Sequence, residues 1–313
     1  MAQNAAVSVT AATADPLSDI LSVLGLRGRF RCRTELVPDA HVPFEPRSGC
    51  VRVHVCLAGR SAVLLDGGRV VRVEAHDIAL VPNDAHTLGG GERGTVVVSG
   101  ECLFDFAAEH PLLDRLGAVT VAADDMATLG WMRGALDLLG LETHNRSPGA
   151  LVVTNRALEI LFVQGLRALA IRHGDDSSGS FMAALVEPAL RGVLERMHTR
   201  PAERWTLERL ADEVGLSRSV LSERFHAVAG VPPIQYLIDW RMQLARHRLR
   251  HTQRSVTDIA SDAGYESATA FRRRFKARQG ITPSAFRARA RIADPTAPPS
   301  ELLDDGHVTA AVE

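Results

Sequence analysis

The sequence predicts an α+β chain in which a small N-terminal β-barrel or sandwich leads into a helical hairpin and then into an all-α domain built on a duplicated unit. Three observations carry this. Short β-branched runs alternate with turn residues between positions 51 and 98, apolar residues take helical spacing from Asp124 onward, and one pattern of residues is written twice between Thr206 and Phe286.

The start of the chain, Met1 to Ala14, is rich in Ala, Thr and Ser and is expected to be disordered. It lacks the basic stretch and apolar core of a secretion signal. Asp15 to Leu26 has the makings of a short helix. Strands are expected at Val51–Leu57, Ala62–Leu65, Val70–Val73, Ile78–Val81 and Thr95–Val98, divided by turn signals at Asp66-Gly67-Gly68, Pro82-Asn83-Asp84 and Gly89-Gly90-Gly91. Strands this short and evenly spaced favour a small barrel or sandwich.

Farther on, Leu129, Met132, Leu136 and Leu139 form one apolar stripe, and Leu151 to Ile171 a longer helix. Gly140 to Gly149, with Pro148, separates the two, which predicts an antiparallel hairpin. Its apolar face suits either a dimer interface or a cover for the barrel. The stretch His173-Gly-Asp-Asp-Ser-Ser-Gly-Ser180 has linker composition. These breaks divide the chain into a disordered start (1–14), a barrel (15–123), a hairpin (124–173), a linker (174–180), a helical domain (181–291) and a disordered acidic tail (292–313).

In the helical domain Ser217, Leu221, Phe225, Gly230, Pro233 and Tyr236 recur as Ser267, Phe271, Phe275, Gly280, Pro283 and Phe286 at a constant offset of 50. Just upstream the offset is 49, pairing Leu210-Ala211 with Ile259-Ala260 and Gly215 with Gly264, so the second copy has one more residue in its turn. Within the first copy Leu207, Leu210, Ala211 and Val214 have helical spacing, Gly215 suits the positive φ that ends a helix, and Ser217 stands where an N-cap belongs. The next helix, Arg218 to Ala229, is expected to turn Val220, Leu221, Phe225 and Val228 inward. Helix, glycine-containing turn and capped helix make a helix-turn-helix. The second copy offers a helix of Ser267 to Gln279 with Ala270, Phe271 and Phe275 as its apolar positions and Thr269, Arg272, Arg273, Arg274, Lys276 and Arg278 on its polar face. A single helix, Pro232 to Arg250, joins the copies, with Ile234, Leu237, Ile238, Ala245 and Leu249 on its core face. Its length of roughly 28 Å would hold two recognition helices for successive major grooves about 34 Å apart.

The net charge of −1 conceals an asymmetry: residues 181–291 hold 20 basic and 11 acidic side chains, against 16 and 21 in residues 1–180 and none and 5 in the tail. A basic domain on a near-neutral chain is the footprint of nucleic-acid binding. No apolar run reaches the ~18 residues of a membrane span, and a cytoplasmic location is expected. The four cysteines, Cys32, Cys50, Cys56 and Cys102, fit no zinc-ribbon spacing and are expected to be reduced there.

The run Trp205 to Phe225, then Gly230-Val-Pro-Pro-Ile-Gln-Tyr236, Arg241-Met-Gln-Leu-Ala245, Gly264-Tyr-Glu-Ser267, Phe271, Phe275 and Gly280-Ile-Thr-Pro-Ser-Ala-Phe286 closely resemble the DNA-binding domain of AraC/XylS-type transcriptional regulators. The resemblance implies base contacts from Ser219, Ser222 and Glu223 in the first recognition helix and from Ala268, Thr269 and Arg273 in the second. Arg218, Arg224, Arg272, Arg274 and Lys276 join them as DNA-binding candidates. Ser222 and Glu223 stand where family members often carry longer polar or basic residues. Glu223 has two readings, an acceptor for cytosine or a partner for a neighbouring arginine.

Leu57 to Leu65, with the run from Asp77 through Pro82 to His86, resembles the cupin-type N-terminal domain carried by a subset of these regulators, and His54 and His86 occupy its two motif-histidine places. The expected fold is therefore a cupin-like β-barrel with a helical hairpin, then an all-α domain with two helix-turn-helix motifs. His76 replaces the glycine that usually precedes the aspartate, and the full metal set is missing. On a strand His54 shares a face with Arg52 and Cys56, and Cys32, His54, His86 and Cys102 make a candidate inward-pointing set for a zinc-like ion or a redox switch. The other reading is two hydrogen-bonded core histidines and inert thiols.

The resemblance implies a sequence-specific regulator, expected to act as an activator, whose barrel senses a small molecule, metal or oxidant. Its implied partners are double-stranded DNA, RNA polymerase and a second copy of the chain. The main alternative is a cupin-type metal-dependent enzyme targeted by a DNA-binding domain, against which the incomplete metal set argues. A DNA-repair methyl acceptor would need a cysteine arrangement that the chain lacks, and a purely architectural DNA binder would not need the acidic barrel.

Overall fold

The computed structural model describes residues 15–105, 110–122, 132–145, 147–173 and 180–292. The expected disordered start, most of the linker (174–179), the tail from 293 and Leu129 of the apolar stripe lie outside the described residues.

Helix α1 (Pro16–Val23) is capped by Asp15, whose side chain accepts from the Ser18 amide. Nine strands follow among the described residues: β1 (Arg27–Leu36), β2 (His41–Phe44), β3 (Cys50–Ala58), β4 (Arg60–Leu65), β5 (Val70–Glu74), β6 (Ile78–Pro82), β7 (His86–Gly89), β8 (Thr95–Leu103) and β9 (Val119–Val121). They form two antiparallel sheets, ordered β1-β8-β3-β6-β9 and β2-β7-β4-β5. The short helix α2 (Pro111–Asp114) precedes β9.

Period two sorts β3 onto two faces. Val51, Val53 and Val55 join the core beneath the helices, while Cys56, with Ala79, Val81 and Val97, packs between the sheets. The five expected strands are all present. Strand β1 is an addition to them: it alternates Arg27, Arg29, Arg31 and Arg33 with Gly28, Phe30, Cys32 and Thr34 instead of showing a β-branched run.

Helices α3 (Met132–Asn145) and α4 (Ala150–His173) pack on each other as the expected hairpin, and α4 lies on β1 and β8. Leu158, Leu161, Phe162 and Leu166 are buried there. Leu151, Val152, Ile160 and Ile171 on α4 and Leu138 and Leu141 on α3 remain exposed.

The C-terminal half comprises α5 (Phe181–Val186), α6 (Pro188–Thr199), α7 (Leu207–Glu213), α8 (Arg218–Ala229), α9 (Pro233–His251), α10 (Val256–Asp262), α11 (Ala268–Gln279) and α12 (Pro283–Ile292). The halves share one apolar core that runs from Leu17 of α1 to Trp240 of α9. At the junction the Tyr236 hydroxyl lies 2.9 Å from His198 Nε2 and 3.3 Å from His110 Nε2, and Arg250 pairs with Asp105 at 3.0 Å. Burial pushes the His110 imidazole down to about 3. A cleft of about 620 Å³ opens beside these residues, between Asp114 and Arg115 on one side and Gly230 and Asp239 on the other.

Candidate DNA-reading surface and sensor core

Each copy of the duplicated unit is a capped helix pair. Thr206 caps α7 and Ser255 caps α10, each hydroxyl accepting from the backbone amide three residues on, at 3.2 and 3.0 Å. This pair sits at the upstream offset of 49, so the repeat extends to the caps of the first helices. Gly215 and Gly264 then turn the chain with φ of 69° and 74°, where a side chain would be strained. Ser217 and Ser267 cap the recognition helices α8 and α11, accepting from Val220 and Ala270 amides at 3.3 and 3.1 Å.

Leu221, Phe225 and Val228 hold α8 in the shared core, whereas Phe271 and Phe275 hold α11 in a separate core with Met242, Leu249 and Ile259. The expectation that Val220 points inward is corrected: it is 39% exposed. It follows Ser219 on the first turn of α8, where the apolar stripe has not yet begun.

Helix α9 contributes Tyr236, Leu237 and Trp240 to one core and Met242, Ala245 and Leu249 to the other. Its 19 residues give a strut of roughly 28 Å. Arg241 locks it in place by donating to the Pro201 and Glu203 carbonyls, each at 2.7 Å.

The two recognition helices differ in what their cations already hold. On α8, Arg218 pairs with Glu208 at 2.6 Å and Arg224 with Glu187 at 2.7 Å. The Arg218 hydrogen bond keeps the Glu208 carboxyl below its usual range. Ser219 and Glu223 are exposed and Ser222 half-buried. On α11, Thr269, Arg272, Arg273, Arg274 and Lys276 are exposed and Ala268 is half-buried at the first turn. None of these four cations forms an ion pair or hydrogen bond with a described residue, and neither does Glu223, which sets aside its pairing with an arginine. Arg278 instead pairs with Asp239.

Between the sheets, His54 and His86 meet Nε2 to Nε2 at 2.8 Å. The outer contacts fix the neutral tautomers. His86 Nδ1 lies 2.8 Å from the Asp84 carbonyl, which can only accept, so His86 Nε2 is bare and accepts from His54 Nε2. His54 Nδ1 is then left to accept from the Ser99 hydroxyl at 2.8 Å. Burial and the neighbouring imidazole hold His54 well below its ordinary pKa. Phe44 stacks on His86 and meets His54 edge-on.

The expected inward set is corrected at Cys102. That residue faces Val51 in the β3–β8 register and packs under α4, on the opposite side of the sheet from His54. Cys32 stands on the rung of Ser99 and His54, and Cys56 lies between the sheets with its thiol toward the Ala58 carbonyl. Burial pushes the Cys50 and Cys56 thiols up to about 11, and burial likewise raises the Cys102 thiol well above its ordinary value. Among the described residues no group of three or more His, Cys, Asp or Glu side chains is placed to hold a metal ion. The residues present do not fit a cupin metal, because each imidazole already satisfies the other.

A double-sheet N-terminal domain joined to two capped helix-turn-helix units on one strut, with four cations on the second recognition helix that pair with no described residue, defines a DNA-binding transcription regulator. A helix-turn-helix domain family matches residues 210–289 and a cupin family matches residues 15–170. An AraC-like transcription regulator of Streptomyces lividans is 30% identical over 251 residues, which cover 80% of this chain and 77% of the relative. The chain belongs to the AraC-like family of transcriptional regulators. It is also similar to the HTH-type transcriptional regulator AlkR of Acinetobacter baylyi, at 27% identity over 75% of this chain and 86% of that protein. The RCS-specific HTH-type transcriptional activator RclR of Escherichia coli is 24% identical over 88% of this chain and 98% of its own length. Among the described residues no helix is long and apolar enough to cross a membrane.

Proposed function

We propose that this regulator grips double-stranded DNA chiefly through α11 and reads it with fewer contacts from α8. The observation that carries the reading is the set of free cations Arg272, Arg273, Arg274 and Lys276 on a capped helix, against Arg218 and Arg224 that are already held by carboxylates. In α11, Arg273 is the candidate for a guanine edge, Ala268 and Thr269 for close approach at the capped end, and Arg272, Arg274 and Lys276 for phosphates. In α8, Ser219, Ser222 and Glu223 are the base-reading candidates, with Glu223 suited to accept from cytosine.

The β-domain is the sensing half. An effector acts by binding two arrangements of the halves unequally, and the buried His110–Tyr236–His198 junction supplies a contact that such a change would remake. The raised pKa values of Cys50, Cys56 and Cys102 weigh against these three thiols as oxidant sensors, and the mutually satisfied imidazoles favour a small-molecule effector over a metal. The same pairing and the regulator names of its relatives support a non-enzymatic role. The exposed apolar side chains of α3 and α4 support a homodimer through the hairpin. Activation through RNA polymerase, in the cytoplasm, completes the reading.

A genome-wide footprint of the tagged protein tests it. Sharp sites that share one sequence motif are expected, and diffuse occupancy without a motif would oppose it.

A further inference from the structure

Four guanidinium groups converge on one carboxylate in the β-domain. Glu101 is completely buried. Arg52 reaches it at 2.6 Å, Arg29 at 3.0 Å, Arg47 at 3.4 Å and Arg31 at 3.8 Å. The register explains the convergence. Arg29, Glu101 and Arg52 stand on one rung across β1, β8 and β3, and the bulge between Phe30 and Cys32 takes Arg31 out of the alternation of β1.

Among the described residues, one carboxylate against four guanidinium groups leaves this cluster with a surplus of three positive charges. No second described carboxylate lies within ion-pair distance of any of the four. Arg52 spends its other donor on the Glu45 carbonyl at 3.0 Å. The Arg31 side chain makes no hydrogen bond with a described residue and the Arg47 side chain makes one long one, at 3.4 Å. Their side chains are 47% and 42% exposed, so both present unused planar donors to solvent beside an anchored partner. Guanidinium forks of this kind match the paired oxygens of carboxylates and phosphates.

We infer that this cluster is a binding site for a small oxyanion, a carboxylate or a phosphate, with Arg31 and Arg47 as direct ligands. Glu101, Arg52 and Arg29 form the frame that gathers them. The inference rests on the reading of the β-domain as the sensing half. The frame touches the space between the sheets: Arg52 lies over the Phe44 ring at 5.2 Å, and Phe44 stacks on His86, the imidazole that bonds the two sheets.

Calorimetric titration of the full-length protein tests this, with inorganic phosphate and succinate as separate probes and ionic strength held constant with sodium chloride. Wild type is expected to bind at least one probe saturably at one site per chain, and the preferred probe tells phosphate from carboxylate. Arg31→Gln and Arg47→Gln should each weaken that binding by about fivefold or more. Arg33→Gln removes the same charge from the same strand, but from a side chain paired with Glu35 at 2.6 Å, and should leave it unchanged. Absence of saturable binding by both probes, or an equal loss in Arg33→Gln, would overturn the site. DNA affinity measured without the anion should stay at the wild-type level in Arg31→Gln and Arg47→Gln, so failure of the anion site is separable from failure of the DNA-binding and regulatory reading.

Discussion

Arg224 on the first recognition helix is held by Glu187 at 2.7 Å, a carboxylate that stands outside both helix-turn-helix units at the start of α6. Before DNA arrives, part of the positive charge on α8 is therefore already neutralised from within the protein. Glu187→Gln releases that arginine to the phosphates. The variant should bind DNA about two- to fivefold more tightly at low salt, the scale of one partly exposed ion pair. Anisotropy titrations of the two proteins on one duplex check this.

Arg273→Ala should weaken binding to the specific site by roughly 1 to 3 kcal/mol, the scale of a lost bidentate base contact. Its effect on unrelated duplex DNA should be smaller. A gel-shift titration with both duplexes measures the difference, and unchanged specific affinity removes Arg273 from the reading set.

Ser267→Ala removes the hydroxyl that accepts from the Ala270 amide, and Ser217→Ala the one that accepts from Val220. Each should cost about 0.5 to 2 kcal/mol in urea unfolding. The matching serines were plain in the sequence because caps obey local rules that a repeat preserves. The fate of Arg218 and Arg224 was not, since Glu208 and Glu187 lie 10 and 37 positions away in the chain. The imidazole pair shows the same division. Placing His54 and His86 as partners came from a motif, but Cys102 was put on the wrong face because the register of β8 against β3 is a tertiary fact. Strand β1 escaped notice because its arginines serve Glu101 and Asp105, contacts invisible to a hydrophobic pattern.

His76 stands in the left-handed region with φ of 74°, at the place where a glycine was the expected residue. His76→Gly relieves that strain and should raise stability by about 0.5 to 1 kcal/mol, read as a higher urea midpoint at unchanged slope.

Burial depresses His54, His110 and His198 in the folded protein. The unfolded chain, with imidazoles near 6.5, then binds the extra protons first as pH falls. Stability from these groups is complete above about pH 6.5 and drains as pH drops toward the folded value of His110, about 3, at roughly 1 kcal/mol per imidazole per pH unit. Urea midpoints at pH 7.5, 6.5 and 5.5 measure the slope. It should be shallower in His110→Asn, which keeps a capping side chain on α2 and removes one proton site.

The most direct measurement is the salt dependence of binding to a duplex selected by the wild-type protein from a random pool. Each phosphate contact contributes about −0.9 to the log–log slope. Arg272→Ala with Lys276→Ala should make the slope shallower by nearly 2, while Arg218→Ala with Arg224→Ala should change it by less than about 1. A larger change from the α8 pair than from the α11 pair would contradict the assignment of the main electrostatic grip to the second recognition helix.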